Sequence, residues 1–256
     1  ILIPLLMAAA VGSACAAPQA ATPAKPATAA ELTSMSARYA PVALTADTAH
    51  LSAGDRQAIA KLVEAAKLVD VLQLRQRWSG NEALWAALKK DKSTLGQARL
   101  NYFWINKGPW SVLDAHASFM PASYAGIAIP AHKPEAGNFY PQGATKASVE
   151  TWMNGLPAED KQQAQWFFTT IRAGKDGKYQ TVKYSDEYKV ELKQLAKLLD
   201  EAAAATDNAS LKKFLTLRAK AFLDNDYLPS DFAWMDLDSP VDITIGPYET
   251  YNDELF

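Results

Sequence analysis

The sequence predicts an α+β fold that is predominantly α-helical, with a short β element near its C-terminal end. Three observations carry that expectation. Apolar residues recur at helical spacing in several stretches between residues 52 and 222, most of them opened by a residue that caps helices or fits a first turn. Val241, Ile243 and Ile245 then alternate with Asp242 and Thr244, the period of a half-buried strand. The composition, 49% hydrophobic with a net charge of −2, is that of an ordinary globular protein and leaves no electrostatic footprint for nucleic acid.

Taken in order, residues 1–16 read as a signal segment. The run ILIPLLMAAAVGSACAA has the apolar core and small-residue end of an export signal without its basic leader, and it is shorter than the roughly 20 residues a membrane span needs. Ala14-Cys15-Ala16 fits ordinary cleavage, whereas Ser13-Ala14-Cys15 fits most of a lipoprotein box, with Gly12 where that box prefers Leu or Val. Cys15 is the single cysteine, so it has no internal disulfide partner and is a candidate lipid acceptor. The chain is thus expected to be exported, as a periplasmic protein or an envelope-anchored lipoprotein. Residues 17–48, rich in Ala and Pro at their start, are expected to be a tether, because such a stretch buries too little apolar area to offset its ordering entropy.

The folded body is expected over 49–256. Ser52-Ala53-Gly54-Asp55 resembles a capping box, and Ile59, Leu62, Val63, Ala66 and Val69 predict a helix running to about Trp78. A short helix is expected around Glu82 to Lys90. Asn101 to Gly143, rich in Gly, Pro and aromatics, predicts an ordered irregular layer with a short strand near Tyr124 to Ile129. Helix returns over Thr145 to Asn154, restarts at Pro157 and continues through Ile171 to Gly174. Ser185 is expected to cap a helix carrying Leu192, Leu195, Leu198 and Leu199, and Asn208 or Ser210 one carrying Phe214, Leu217 and Phe222. The pattern gives one domain and no internal repeat.

No complete catalytic constellation is visible in composition and spacing. His50, His116 and His132 lack the neighbours of a zinc helix. The run Asp224, Asp226, Asp231, Asp236, Asp238 and Asp242 places Leu228 and Pro229 where a calcium loop needs an oxygen ligand and a Gly. Nucleophile elbows, phosphate-cradling loops and dinucleotide fingerprints are absent.

Several stretches together resemble one family. They are AAKLVDVLQLRQ from Ala65 to Gln76, YFWINKGPWSVL from Tyr102 to Leu113, FYPQ from Phe139 to Gln142, and the stretch Phe222 to Phe256 with its NDY, SDFAWMDLD and DITIGPYETYNDELF. These resemble the dipeptidyl peptidase III-like zinc metallopeptidases, particularly the branch also found fused to Nudix domains. The resemblance implies part of a two-lobed metallopeptidase, with residues 49–256 as its N-terminal, non-zinc lobe and a peptide substrate in the interlobe cleft. It implies zinc as cofactor, held by a His-Glu motif downstream of these residues, so the segment alone is expected to lack the metal and to be inactive.

The family has a Gly followed three positions later by a Glu that receives the peptide's amino terminus, and two positions after that by a Tyr that polarises the scissile carbonyl. From Gly246 these positions are Glu249, implied to bind substrate, and Tyr251, implied to bind and to act in catalysis; Asn252 stands where the family tends to carry Arg. Residues two apart on an extended strand share a side, so the two would face the cleft together. The start at Ile1 and the stop inside GPYETYNDELF both predict a piece of a longer protein. A non-enzymatic envelope protein that binds peptides or partners is the alternative; Nudix activity is disfavoured because no Nudix box is present.

Overall fold

The computed structural model describes residues 25–247, 253 and 255. Its central element is α2 (Ala53–Arg77), a helix of 25 residues. Ser52 caps it by accepting from the Asp55 amide, but the Asp55 carboxylate does not close a capping box. It accepts instead from Thr206 Oγ1 at 2.6 Å, tying the start of α2 to the end of α8 (Lys189–Ala205). Gly54 permits that approach: a Cβ there would lie 2.3 Å from the Ala205 carbonyl oxygen.

Two hydrophobic clusters share α2 as a wall. On one side Leu62, Ala65 and Leu72 pack with Leu192, Leu195 and Leu199 of α8 and with Phe214, Leu215 and Phe222 of α9 (Ala209–Asp224). Near its C-terminal end Leu74 turns to the other cluster, formed with Leu84 and Leu88 of α3 (Asn81–Lys90) and with Tyr102 and Phe103 of α4 (Thr94–Asn106). Trp85 of α3 stacks on Trp104 of α4 with centroids 5.5 Å apart; Lys89 lies 3.6 Å from the first ring and Lys107 3.3 Å from the second.

The expected tether is partly structured. Residues 29–36 form helix α1, closed by a capping box in which Thr28 and Glu31 each satisfy the other's amide, and Leu32 is fully buried in the second cluster. The Thr-x-x-Glu pattern followed by Leu32 and Met35 outweighs the Ala- and Pro-rich composition before it. Residues 41–50 are exposed and link α1 to the body as extended chain and turn. Arg38 donates to Asp114 in a bidentate pair that fastens α1 to the layer behind α4.

Helix α4 departs from the expectation, because its aromatics read with the irregular layer in the sequence. Ser93 caps it, Tyr102, Phe103 and Asn106 face inward, and Lys107 ends it in the left-handed region at φ 52°. The layer after it holds two small hairpins, β1–β2 (Trp110–Ser111 and Ala117–Ser118) and β3–β4 (Ser123–Tyr124 and Ile127–Ala128), the second within the expected strand. Helix α5 (Lys146–Asn154) follows its Thr145 cap as predicted.

After Pro157 the helix α6 is only Ala158–Ala164, and the stretch expected to continue it is β5 (Thr169–Ala173), paired antiparallel with β6 (Tyr179–Lys183). The β-branched run Thr169-Thr170-Ile171 and the turn at Asp176-Gly177, where Gly177 has φ 77°, favour the hairpin over the helix. A single turn, α7 (Tyr184–Glu187), precedes α8, so Ser185 lies inside it instead of capping α8. Helix α10 (Leu228–Met235) follows α9. Over 241–245 burial alternates as predicted, with Val241 and Ile245 buried, but the segment pairs with no strand among the described residues. Among the described residues the longest strands are β5 and β6, at 169–173 and 179–183. No described helix is long and apolar enough to cross a membrane.

Candidate functional site

An open groove of about 1070 Å³ runs along the side of α9 and α10, between the α6–β5 connection and the terminal segment. Its walls are Phe139, Met153, Trp166, Phe168, Ile171, Tyr184, Phe214 and Trp234, with Arg218, Asp231, Thr244 and Asp253 as polar members. The surface is concave and mostly apolar, with a few convergent polar groups, the general form of a ligand site. Arg218 is 4% exposed and donates to Asp231 at 2.6 Å. Its guanidinium also lies 5.4 Å from the rings of both Phe214 and Tyr227, so packing and a carboxylate fix the cation together.

The terminal segment meets this groove through buried polar contacts. The Gln76 amide, 1% exposed, donates to the Pro247 carbonyl at 2.8 Å, and the Tyr140 hydroxyl donates to Asp253 Oδ2 at 2.5 Å. The loop carrying Tyr140 is itself pinned. Asn138 donates from its backbone to the Gln76 carbonyl and from its side chain to the Arg75 carbonyl, which satisfies two orphan acceptors at the end of α2. Arg172 donates to the Asn138 carbonyl and to Glu187, and the Ile171 amide donates to the Phe139 carbonyl.

Burial, and then the hydrogen bond to Asp253, push the Tyr140 phenol well above its ordinary range, so at neutral pH it is a donor. Burial does the same for Tyr184 and for Tyr188. On α2, the hydrogen bond to Glu82 and a second to Glu191 hold Arg75 firmly charged against its burial.

The residues the sequence singled out are distributed unevenly. Glu249, Tyr251 and Asn252 lie outside the described residues, as does Cys15. Their flanks, Pro247 and Asp253, are placed, and Thr244 and Asp253 line the groove. His116 and His132 sit near one another on the β1–β2 layer, through the bridge from Ala117 to His132, and His50 is exposed in a turn before α2. Among the described residues no three His, Cys, Asp or Glu side chains stand together as a metal set. The acidic run is dispersed: Asp224 binds Lys220, Asp231 binds Arg218, and Asp242 accepts from Trp234. Sequence reasoning missed Gln76, Tyr140 and Arg218. Gln76 had a readable signal, an amide one helical turn after Leu72 on the buried side of α2.

The described residues thus form a largely helical frame with an open groove on one side. Compared with known proteins, the chain is similar to dipeptidyl-peptidase III. The enzyme from Corallococcus sp. strain EGB superimposes with a TM-score of 0.85 at 49% identity, over 91% of this chain and 42% of that one. The enzyme from Caldithrix abyssi gives 0.80 at 40% identity, over 88% and 41%. A curated relative, Nudix hydrolase 3 of Arabidopsis thaliana, is 36% identical over 86% of this chain, which fits the likeness to the branch joined to Nudix domains. No family model matches the chain. The chain thus resembles, in sequence and in fold, part of the dipeptidyl peptidase III-like proteins. It spans 34% of the curated relative's length and about two fifths of each solved structure.

Proposed function

We propose that the chain supplies the peptide-holding wall of an exported, zinc-dependent peptidase of the dipeptidyl peptidase III type. The observation that carries this reading is the groove lined by Thr244 and Asp253, described residues that flank Glu249 and Tyr251 in the sequence. In this reading the Glu249 carboxylate takes the substrate's ammonium, and the Tyr251 phenol donates to the oxyanion that develops at the scissile carbonyl. The apolar walls accept peptide side chains. In this reading the zinc is held by residues of the full-length protein outside this chain, as the likeness to dipeptidyl-peptidase III suggests.

The test is peptide release by the full-length protein, with and without a chelator. Glu249→Gln and Tyr251→Phe should each lower kcat/KM by roughly 10- to 150-fold, the loss of a hydrogen bond to a charged group. Glu249→Gln should lose activity mainly through KM, and Tyr251→Phe mainly through kcat. Activity indifferent to zinc removal would sink the reading. Cys15 is proposed as the lipid acceptor of the exported form: incorporation of labelled palmitate should vanish in Cys15→Ser, whereas an unlabelled, processed wild type would mean ordinary cleavage.

A second reading, a non-enzymatic binding module, draws on the exposure of Phe167 (80%) and Met235 (73%) beside the groove. Peptide binding without turnover in the full-length protein would favour it.

A further inference from the structure

We propose that the end of α4 and the lysine-rich end of α3 form a membrane-facing surface, which rests on the headgroups of an anionic bilayer. The proposal takes the presence of a membrane from the export reading, but the surface stands on contacts and charges independent of it.

Four large apolar side chains stay in water at this place. Trp104 and Ile105 belong to the last turn of α4. Val112 and Leu113 belong to a short helical turn, Val112–Asp114, which is fastened to α4 because Asn106 Oδ1 accepts from the Val112 amide at 3.0 Å. The four are 37% to 51% exposed, whereas Tyr102, Phe103 and Asn106 on the other side of α4 are buried. Helix α4 has thus filled its share of the core and still presents an apolar outer edge.

Cations surround that edge. Lys89 and Lys107 lie against the stacked indoles of Trp85 and Trp104, and Lys90 and Lys92 follow Lys89 at the exposed end of α3. Lys107 is paired with Asp70, but among the described residues no carboxylate pairs with Lys89, Lys90 or Lys92. Asp91, between them, accepts instead from Ser93 and Tyr124. Indole rings and lysine stems suit the boundary layer of a bilayer, where an apolar body meets lipid and a polar or charged tip meets the headgroups. Ammoniums without a carboxylate partner add attraction to a negatively charged surface.

Two further observations select this face. The N-terminal chain joins the body here: Lys25 and Ala27 border a hollow shared with Ser111 and Asp114, the residues on either side of Val112 and Leu113, and the Ala27 amide donates to the Phe119 carbonyl at 3.1 Å. The chain that leads back to the proposed lipid acceptor therefore reaches the body beside this surface, and an anchored protein turns the surface towards the bilayer. The other exposed apolar stripe, Leu228, Phe232 and Met235 on α10, is flanked in the chain by exposed Asp226, Asp236 and Asp238, which an anionic surface repels.

Co-sedimentation with vesicles tests the surface, using the full-length protein without its signal segment, residues 1–16, so that no acyl chain is present. Vesicles of phosphatidylcholine mixed with phosphatidylglycerol should bind it at low salt, and vesicles of phosphatidylcholine alone should bind it roughly tenfold more weakly. The triple variant Lys89→Glu, Lys90→Glu, Lys92→Glu should weaken binding to the anionic vesicles roughly a hundredfold, and the double variant Val112→Ser, Leu113→Ser roughly tenfold. The double variant Phe232→Ser, Met235→Ser on α10 should bind like wild type. A full-length protein that binds neither kind of vesicle, as when the rest of its chain covers this face, would overturn the proposal, and so would equal losses in the α10 variant. Cell fractionation reports separately on the reading beneath it: vesicle binding through this face by a protein found wholly in the cytoplasm leaves the surface standing and removes export.

Discussion

At the junction of three helices a single side chain closes two chain ends. Asn81, fully buried at the first turn of α3, donates from Nδ2 to the Leu74 carbonyl near the end of α2 and to the Lys107 carbonyl just after α4. Asn81→Ala leaves both acceptors without that donor and should cost about 1–3 kcal/mol, read as a lower urea midpoint at unchanged m-value. A change below about 0.5 kcal/mol would show that water replaces the amide. Residues of this kind are hard to find in a sequence. Ser79-Gly80-Asn81 was legible as a break between helices, yet which carbonyls the amide meets depends on where α4 ends. The same limit applies to the candidate site. Glu249 and Tyr251 came from a resemblance, whereas Gln76 and Tyr140 emerge only once α2, the Asn138 loop and Pro247 are seen together.

Among the elements, those with a clear apolar stripe were legible. Helices α2, α3, α5, α8 and α9 appear where the sequence puts them; Ser52, Thr145 and Asn208 cap α2, α5 and α9, whereas α3 and α8 have no side-chain cap and rest on their buried leucines. Errors fall where a neighbour decides. The segment 241–245 keeps its alternation, but a strand is made by its partner, and none lies beside it among the described residues. Ile171 reads equally well in a helix or a strand until the Asp176-Gly177 turn is weighed. Helix α1 was hidden by composition, and it makes the clearest prediction at this scale. Leu32→Ala removes its buried anchor, worth about 2–5 kcal/mol in a core, which is more than a docked helix of eight residues is expected to hold. α1 should therefore release, and trypsin should cut after Arg38 much faster while the melting of α2, α8 and α9 is unchanged. Acid should act at the same point. The Arg38 hydrogen bonds, and then Ser111, hold the Asp114 carboxyl down at about 2, below its unfolded value of roughly 3.9. This contribution is present above pH 4 and is lost as pH falls towards 2. Exchange at the Leu32 amide, relative to α2, should rise over that window in wild type and be already high in Asp114→Asn.

For the molecule as a whole, alkali is the revealing stress. Tyr184 and Tyr188 are buried and keep their protons well above the ordinary phenol value of about 10, while in the unfolded chain they ionise there. Raised folded values mean stability that is complete below pH 10 and declines above it, by about 2.7 kcal/mol per pH unit for the two together. Titration of phenolate absorbance should therefore stop short of the full tyrosine count until unfolding releases the rest in one step. Whether that step is single depends on α2, which belongs to both hydrophobic clusters and ties their melting together. The stacked pair Trp85–Trp104 supplies an optical gauge for the question. Two indoles 5.5 Å apart couple their transitions and split them into a circular-dichroism couplet that reports only on the contact between α3 and α4. If the couplet fades at a lower temperature than the helical signal, the α3–α4 side is a separate melting unit; if both vanish together, one helix has made two cores into a single cooperative body.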